Sequence, residues 1–158
     1  MNKAYLILGS NINPEVNIPR ALGFLEKSFQ VNKVSDTWRT RAVGSKANDF
    51  LNTAVEIETG LDMVNLKERC LCHIEEILGR IREKDKNAPR TIDIDIAVFN
   101  DQILEPEIFQ REHLALPLSE VLPEIVDPQT NKSLFEIASH FRNNGSAVKI
   151  GCINPNGI

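Results

Sequence analysis

The segment Ala88-Pro89-Arg90-Thr91-Ile92-Asp93-Ile94-Asp95-Ile96 constrains the fold most, because isoleucine and aspartate alternate along it. Side chains two residues apart on a strand share a face, so the isoleucines point one way and Asp93 and Asp95 point the other. The Cα atoms of the two aspartates then lie about 6.5–7 Å apart. Two carboxylates on one face repel each other unless cations lie beside them, and oxygen ligands of this kind suit magnesium. A half-exposed strand with its acids in solvent shows the same alternation, so the pattern alone leaves both interpretations open.

Basic residues surround this aspartate strand. Arg90 directly precedes the acids, and four more cations lie just upstream, namely Arg80, Arg82, Lys84 and Lys86. Metal-binding acids beside phosphate-binding cations indicate phosphoryl transfer and favour a site over an ordinary strand. The whole chain is acidic, with a formal net charge of −4, so a general nucleic-acid surface is not expected.

Length and composition set the broad class of the protein. The chain has 158 residues, which predicts one domain over residues 1–158 with a normal core. It contains no apolar run of 18 residues, so no membrane span is expected. Three cysteines, two of them close together, argue against a disulfide framework, and the N-terminus does not resemble a signal peptide. We therefore expect a cytoplasmic protein.

Hydrophobic periodicity predicts an alternating order of strands and helices. Apolar or alternating runs predict strands over residues 4–8, 31–40, 50–59 and 91–99, with a short return strand over 102–104. Helical spacing predicts one helix over 17–27 and another from an N-cap at Asp62 to about 79–83. The apolar stripe of the second helix comprises Leu66, Cys70, Ile74, Ile77 and Ile81.

This order predicts an α+β fold with a ferredoxin-like βαββαβ core, in which helices cover one face of an antiparallel sheet. Helices over residues 117–122 and 134–141 would be C-terminal helical additions to that core. The tail from about residue 143 is rich in Asn and Gly and is expected to be loosely ordered.

An aromatic ring and an amide share one face of the strand predicted over residues 50–59. Phe50 and Asn52 could stack on and hydrogen-bond a flat heterocycle, although ordinary strand packing also explains the phenylalanine. Glu75 and Arg82 lie seven residues apart, on one helical face if the helix extends that far, and the alternative is a solvated charged surface.

Taken together, these residues resemble the 6-hydroxymethyl-7,8-dihydropterin pyrophosphokinases of folate biosynthesis, over nearly the whole chain to about residue 138. The segments that carry the resemblance are Gly9-Ser10-Asn11, Trp38-Arg39-Thr40, Phe50-Leu51-Asn52-Thr53-Ala54-Val55, Gly79-Arg80-Ile81-Arg82 and Lys86-Asn87-Ala88-Pro89-Arg90-Thr91-Ile92-Asp93-Ile94-Asp95. The resemblance implies an enzyme that transfers pyrophosphate from ATP to the hydroxymethyl group of the pterin and releases AMP.

The resemblance also implies residue roles. Asp93 and Asp95 would hold two magnesium ions on the ATP phosphates, and Arg80 and Arg90 would neutralise charge on the transferring group. Roles in binding ATP are implied for Glu75, Arg82, Lys86 and Arg111. Roles in binding the pterin are implied for Thr40, Arg41, Val43, Phe50, Asn52 and His113. Such transfers depend on positioning and charge stabilisation more than on covalent chemistry.

The chain departs from the usual family pattern at three places. It has Lys86-Asn87-Ala88-Pro89-Arg90 where the family usually has Arg-Trp-Gly-Pro-Arg, and a short segment at 107–111 where the family has a longer loop with Pro-His. His113 stands where the family has a phenylalanine against the pterin. Two alternatives therefore stay open: a diverged paralogue with another pterin-like acceptor, and a nucleotide- or pterin-binding protein without catalysis. The expected partners are ATP and the pterin alcohol, and the expected state is a monomer or weak homodimer.

Overall fold

The fold is built on an antiparallel sheet. The computed structural model describes residues 1–41, 49–81 and 89–152, and its strands are β1 (Asn2–Ser10), β2 (Gln30–Val34), β3 (Thr37–Thr40), β4 (Phe50–Thr59), β5 (Asp93–Phe99), β6 (Gln102–Ile103) and β7 (Val148–Gly151). Within these ranges the sheet order is β6-β5-β1-β4-β3-β7, and β2 also pairs with β4. All neighbouring strands are antiparallel. The central order β5-β1-β4-β3 is that of a ferredoxin-like sheet, which confirms the predicted fold class.

Helices cover both faces of this sheet. On one face lie α1 (Pro14–Ser28) and a helical stretch made of α2 (Met63–Asn65), a π-helical segment (Leu66–Leu71) and α3 (Cys72–Ile77). On the other lie a 3₁₀ turn (Pro106–Phe109), α4 (Glu112–Val121) and α5 (Leu134–Asn144). The two helices of the βαββαβ core share one face, and the C-terminal helices form the predicted additions. No described helix is long and apolar enough to cross a bilayer.

The π-helical segment changes which side chains of the second helical stretch face the core. This stretch begins as predicted at Asp62, whose Oδ1 accepts a hydrogen bond of 2.8 Å from the Asn65 N–H. The wider turns that follow shift the buried stripe, so that Leu71 and Leu78 are buried. Ile77 and Ile81 are instead 45% and 73% exposed, so their predicted place in the stripe is wrong.

Two further boundaries differ from the predictions. The strand expected over 31–40 is divided into β2 and β3, since the chain turns at Ser35, whose Oγ accepts a hydrogen bond from the Ala54 N–H. The helix expected over 117–122 already begins at Glu112, so His113 is helical. Pro117 therefore lies inside this helix, where it lacks the N–H that would bond the His113 carbonyl.

The expectation of a loosely ordered tail from about residue 143 is wrong for the part that the structure describes. Strand β7 pairs with β3, with Lys149 opposite Trp38. The Lys149 Nζ lies 3.0 Å from the Asp36 Oδ2 and 5.6 Å from the centre of the Trp38 ring. These contacts attach a segment that composition alone assigns to a flexible end.

Candidate active site

A cavity of about 430 Å³ opens at one end of the sheet, where β1 and β3 end and β4, β5 and α4 begin. Most of the site residues predicted from the sequence line it: Thr40, Arg41, Phe50, Asn52, Arg90, Asp93, Asp95, Arg111 and His113. Val43, Arg82 and Lys86 lie outside the described residues. Glu75 and Arg80 are described but do not line this cavity.

The two aspartates enter the cavity from β5 as the alternating pattern predicts. Ile92, Ile94 and Ile96 are buried in the core on one face of the sheet, and Asp93 and Asp95 line the cavity on the other. Each carboxylate has a cation beside it. The Arg90 Nη1 lies 3.3 Å from the Asp93 Oδ2, and the Lys67 Nζ lies 3.5 Å from the Asp95 Oδ1.

The electrostatics of this pair match a cation site. Desolvation and the neighbouring Asp93 carboxylate raise the pKa of Asp95 to about 6, and Lys67 acts in the opposite direction. Over the ranges that the structure describes, no three His, Cys, Asp or Glu side chains come together in a cluster that could hold a metal ion by itself. Two carboxylates suit magnesium, which usually binds one or two of them while phosphates and water complete its shell.

The turn after β1 fixes the position of Arg90. The Asn11 Oδ1 accepts a hydrogen bond of 2.7 Å from the Arg90 N–H, and the Asn11 and Ile12 N–H groups donate to the Arg90 carbonyl at 3.1 and 3.2 Å. The guanidinium then lies 5.6 Å from the centre of the Phe50 ring. Gly9-Ser10-Asn11 therefore shapes the site by holding the backbone of a cavity residue.

Asn52 presents a buried amide to the cavity. It lies opposite Gly9 in the β1–β4 register and is 4% exposed. A Cβ atom at Gly9 would lie 2.8 Å from the Asn52 Oδ1, so the amide occupies space that only glycine leaves open. The Asn52 Nδ2 has no hydrogen-bond partner among the described residues. A buried donor in a cavity wall is suited to an acceptor on a ligand.

The start of α4 contributes a charged and a titratable side chain, Arg111 and His113, to the cavity wall. Arg111 pairs with Glu107 at 2.8 Å between Nε and Oε2. Desolvation and then the charge of Arg111 lower the pKa of His113 from its usual range. His113 is therefore mostly neutral at physiological pH, and its ring borders the same cavity as Phe50.

Behind β5, two side chains hold the residue between the aspartates. The Glu75 Oε2 accepts a hydrogen bond of 2.7 Å from the Ile94 N–H, and the Lys67 Nζ donates one of 2.6 Å to the Ile94 carbonyl. Glu75 is only 1% exposed, so the alternative of a solvated charged surface is wrong for it. Lys67 is not among the site residues predicted from the sequence, because its reach depends on the π-helical turn and on tertiary packing.

Arg80 lies just past the helical stretch that carries Glu75. Its N–H donates to the Glu75 carbonyl at 2.9 Å, and its buried Nε has no hydrogen-bond partner among the described residues. The Arg80 Nε is therefore a donor suited to an anionic ligand.

Comparisons with known proteins identify the family of this chain. The family model for 7,8-dihydro-6-hydroxymethylpterin-pyrophosphokinase matches residues 5–123. A 2-amino-4-hydroxy-6-hydroxymethyldihydropteridine pyrophosphokinase from Bacillus subtilis is 36% identical over 142 residues, which cover 82% of this chain and 84% of the relative. One of the same name from Synechocystis is 32% identical over 141 residues, covering 82% of this chain and 71% of the relative.

A solved structure shows the same fold. The wild-type HPPK-DHPS of Plasmodium falciparum superposes with a TM-score of 0.71 at 13% identity, over 94% of this chain. This chain spans about half of that longer protein, 48% of its length. The chain therefore belongs to the 7,8-dihydro-6-hydroxymethylpterin-pyrophosphokinase family, ATP-dependent enzymes that transfer pyrophosphate in folate biosynthesis.

Proposed function

We propose that this cavity transfers pyrophosphate from ATP to the hydroxymethyl group of 6-hydroxymethyl-7,8-dihydropterin. The acceptor oxygen attacks the β-phosphorus, the bond from that phosphorus to the oxygen of the α-phosphate breaks, AMP leaves, and the hydroxyl proton is released. The observation that carries the proposal is the pair Asp93 and Asp95 on one cavity wall, with Arg90 and the Asn52 amide beside it.

Asp93 and Asp95 would hold magnesium, and two ions would be expected when the nucleotide is bound. Their oxygen donors and shared face fit this ion, because nucleotide phosphates supply further oxygen ligands. Bound magnesium would supply stabilisation of charge on the phosphates. The contribution of the protein is to hold both carboxylates on a rigid strand, since Ile92, Ile94 and Ile96 fix β5 in the core.

Basic side chains would bind the transferring group. Arg90 offers a planar fork to phosphate oxygens, and the Asn11 bond to its backbone orients it. Arg80 would act with it, since its buried Nε has no hydrogen-bond partner among the described residues. We also assign nucleotide contacts to Glu75, Arg82, Lys86 and Arg111. Glu75 would contribute from behind β5, since its carboxylate bonds the Ile94 N–H.

The pterin would bind at the apolar and amide part of the cavity. Phe50 would stack on the ring system, and the Asn52 Nδ2 would donate to one of its acceptors. Thr40, Arg41 and Val43 would supply further contacts from the end of β3 and the segment after it. His113 would face the pterin in its neutral form, since its pKa is lowered.

Production of AMP tests the proposal. ATP, magnesium and 6-hydroxymethyl-7,8-dihydropterin should give AMP and the pterin diphosphate in equal amounts, and omission of the pterin should abolish AMP. Acceptor-dependent AMP formation with another pterin alcohol but none with this one would identify a diverged paralogue. Binding of ATP and pterin without AMP would identify a protein that has lost catalysis.

We further propose that residues 1–158 act as a single domain in the cytoplasm, as a monomer or weak homodimer. Sedimentation analysis at micromolar concentration tests the oligomeric state. A stable dimer or larger assembly would contradict it.

A further inference from the structure

The outer edge of β5 beside the aspartates is closed by side chains. On its inner edge β5 pairs with β1, and Ile94 lies opposite Leu8. On its outer edge β6 pairs only with Val98 and Phe99, so in the described chain no strand borders the part that contains Ile94. The peptide groups of Ile94 are held instead by Glu75 and Lys67.

Lys67 makes two contacts that differ in strength. Its bond to the Ile94 carbonyl is short, at 2.6 Å, and it is assisted by the charge of the ammonium. Its pair with Asp95 is longer, at 3.5 Å, and the two side chains are 34% and 56% exposed. Water screens an ion pair of this kind, so its energetic contribution is small. The backbone contact is therefore the dominant one.

These contacts link one ammonium group to the Ile94 carbonyl and to the carboxylate of the second aspartate, Asp95. The bond to the Ile94 carbonyl holds the segment that carries the aspartates against the helical stretch. The longer pair with the Asp95 Oδ1 places the ammonium beside the carboxylate and contributes less. The π-helical segment Leu66–Leu71 contains Lys67, and a helical irregularity of this type is frequent at functional sites.

We propose that Lys67 is a positioning residue for the cation site: it anchors β5 at Ile94 and orients the Asp95 carboxylate. This inference rests on the proposed magnesium-dependent function of Asp93 and Asp95. Lys67 does not line the cavity, so it acts through those carboxylates and not on the substrates. Removal of Lys67 keeps both proposed ligands, Asp93 and Asp95, in the chain. It lets the edge of β5 and the Asp95 carboxylate move.

Two effects of removing Lys67 oppose each other. Loss of a positive charge 3.5 Å from Asp95 favours cation binding, whereas loss of the anchor disfavours it. Because the ion pair is half-exposed and the backbone bond is short, loss of the anchor dominates. The expected net effect is weaker cation binding.

The test uses Mn²⁺ as a paramagnetic probe with an ATP analogue that carries a methylene bridge between the α- and β-phosphates. Electron paramagnetic resonance of free Mn²⁺ gives its affinity for the full-length protein with the analogue bound. Lys67→Met should weaken this affinity at least fivefold, and Lys67→Arg, which keeps a charged donor, should restore most of it. The KM for the pterin should change less than twofold in both variants, since Lys67 contacts Ile94 and Asp95 and not the residues assigned to the pterin.

Arg69→Met is the matched control, because it removes an exposed cation from the same helical segment. It should leave the Mn²⁺ affinity unchanged. An unchanged or tighter Mn²⁺ affinity in folded Lys67→Met would overturn the inference. If Lys67→Met does not fold, Lys67→Gln, which removes the charged donor but keeps a polar side chain, takes its place. Mn²⁺ affinity at least fivefold weaker in Lys67→Gln supports the inference, and wild-type affinity overturns it. Failure of the wild-type protein to bind Mn²⁺ with the analogue would instead refute the proposed function.

Discussion

Replacement of Gly9 by alanine should weaken pterin binding more than it lowers the stability of the fold. The new Cβ would lie 2.8 Å from the Asn52 Oδ1, closer than such atoms approach, so the amide must turn away. Asn52 borders a cavity and can turn into it, so we expect the free energy of unfolding to fall by only about 0.5–1.5 kcal/mol, the range for a strained side-chain rotamer.

Ligand binding should suffer more than stability. The displaced amide loses its bond to the pterin and leaves a polar group unsatisfied, which costs about 1–3 kcal/mol. This corresponds to roughly 5–150-fold weaker binding. Calorimetric titration with 6-hydroxymethylpterin measures the dissociation constant, and a denaturation curve measures stability.

Gly60→Ala is the matched control for this experiment. A Cβ at Gly60 would meet only the Met1 sulfur, at 3.9 Å, which is an ordinary contact. It should leave pterin affinity unchanged. If Gly9→Ala is folded and binds the pterin within twofold of the wild type, the Asn52 amide does not bind it in the way argued.

Four other outcomes follow from the same site. Asp93→Asn and Asp95→Asn should each reduce kcat at least 1000-fold, as expected when the ligand of an essential ion is lost. The pKa of Asp95 in the fold is raised to about 6, so its ionisation destabilises the metal-free protein as pH rises from about 4 through 6. Asp95→Asn should therefore have a higher Tm than the wild type at pH 8 but not at pH 3.5. A Tm below that of the wild type at pH 8 would contradict this. The lowered pKa of His113 predicts that pterin affinity is constant at and above pH 7 and weakens as pH falls below the usual histidine range. His113→Phe should lose this pH dependence. An unchanged titration profile in that variant would show that His113 does not face the pterin. Arg90→Ala should lower kcat at least tenfold more than Lys86→Ala, because Arg90 is held beside Asp93 and can bind phosphate in a bidentate manner, so equal losses in steady-state assays would refute that order.

Local rules predict the strand that carries Asp93 and Asp95 well. The two-residue period decides which side chains of a strand share a face, so the amino-acid sequence is sufficient to place Asp93 and Asp95 together. The strand over 50–59 and the cap at Asp62 follow from equally local patterns, and both are confirmed. The chemistry of the site is therefore predictable wherever a single element carries it.

Features that depend on contacts between distant segments are not predictable in this way. The π-helical turn places one additional residue in the helix period, which moves the buried stripe from Ile77 to Leu78. Lys67 reaches Ile94, 27 residues away, and only packing of the helix on β5 brings them together. The sequence of strand β7 does not predict a strand by its hydrophobic pattern. Its Lys149 instead contacts Asp36 and Trp38, which are distant in the sequence.

The borders of the sheet also bear on how the protein behaves at high concentration. An open strand edge is a template on which another molecule can add a strand, and this is a common route to aggregation. Here one border is β6, which is two residues long. On the other side β7 has four residues with a lysine among them, and β2 carries an irregularity between Val31 and Lys33. Short, charged or bulged borders discourage such addition, so the sheet is protected against growth in both directions.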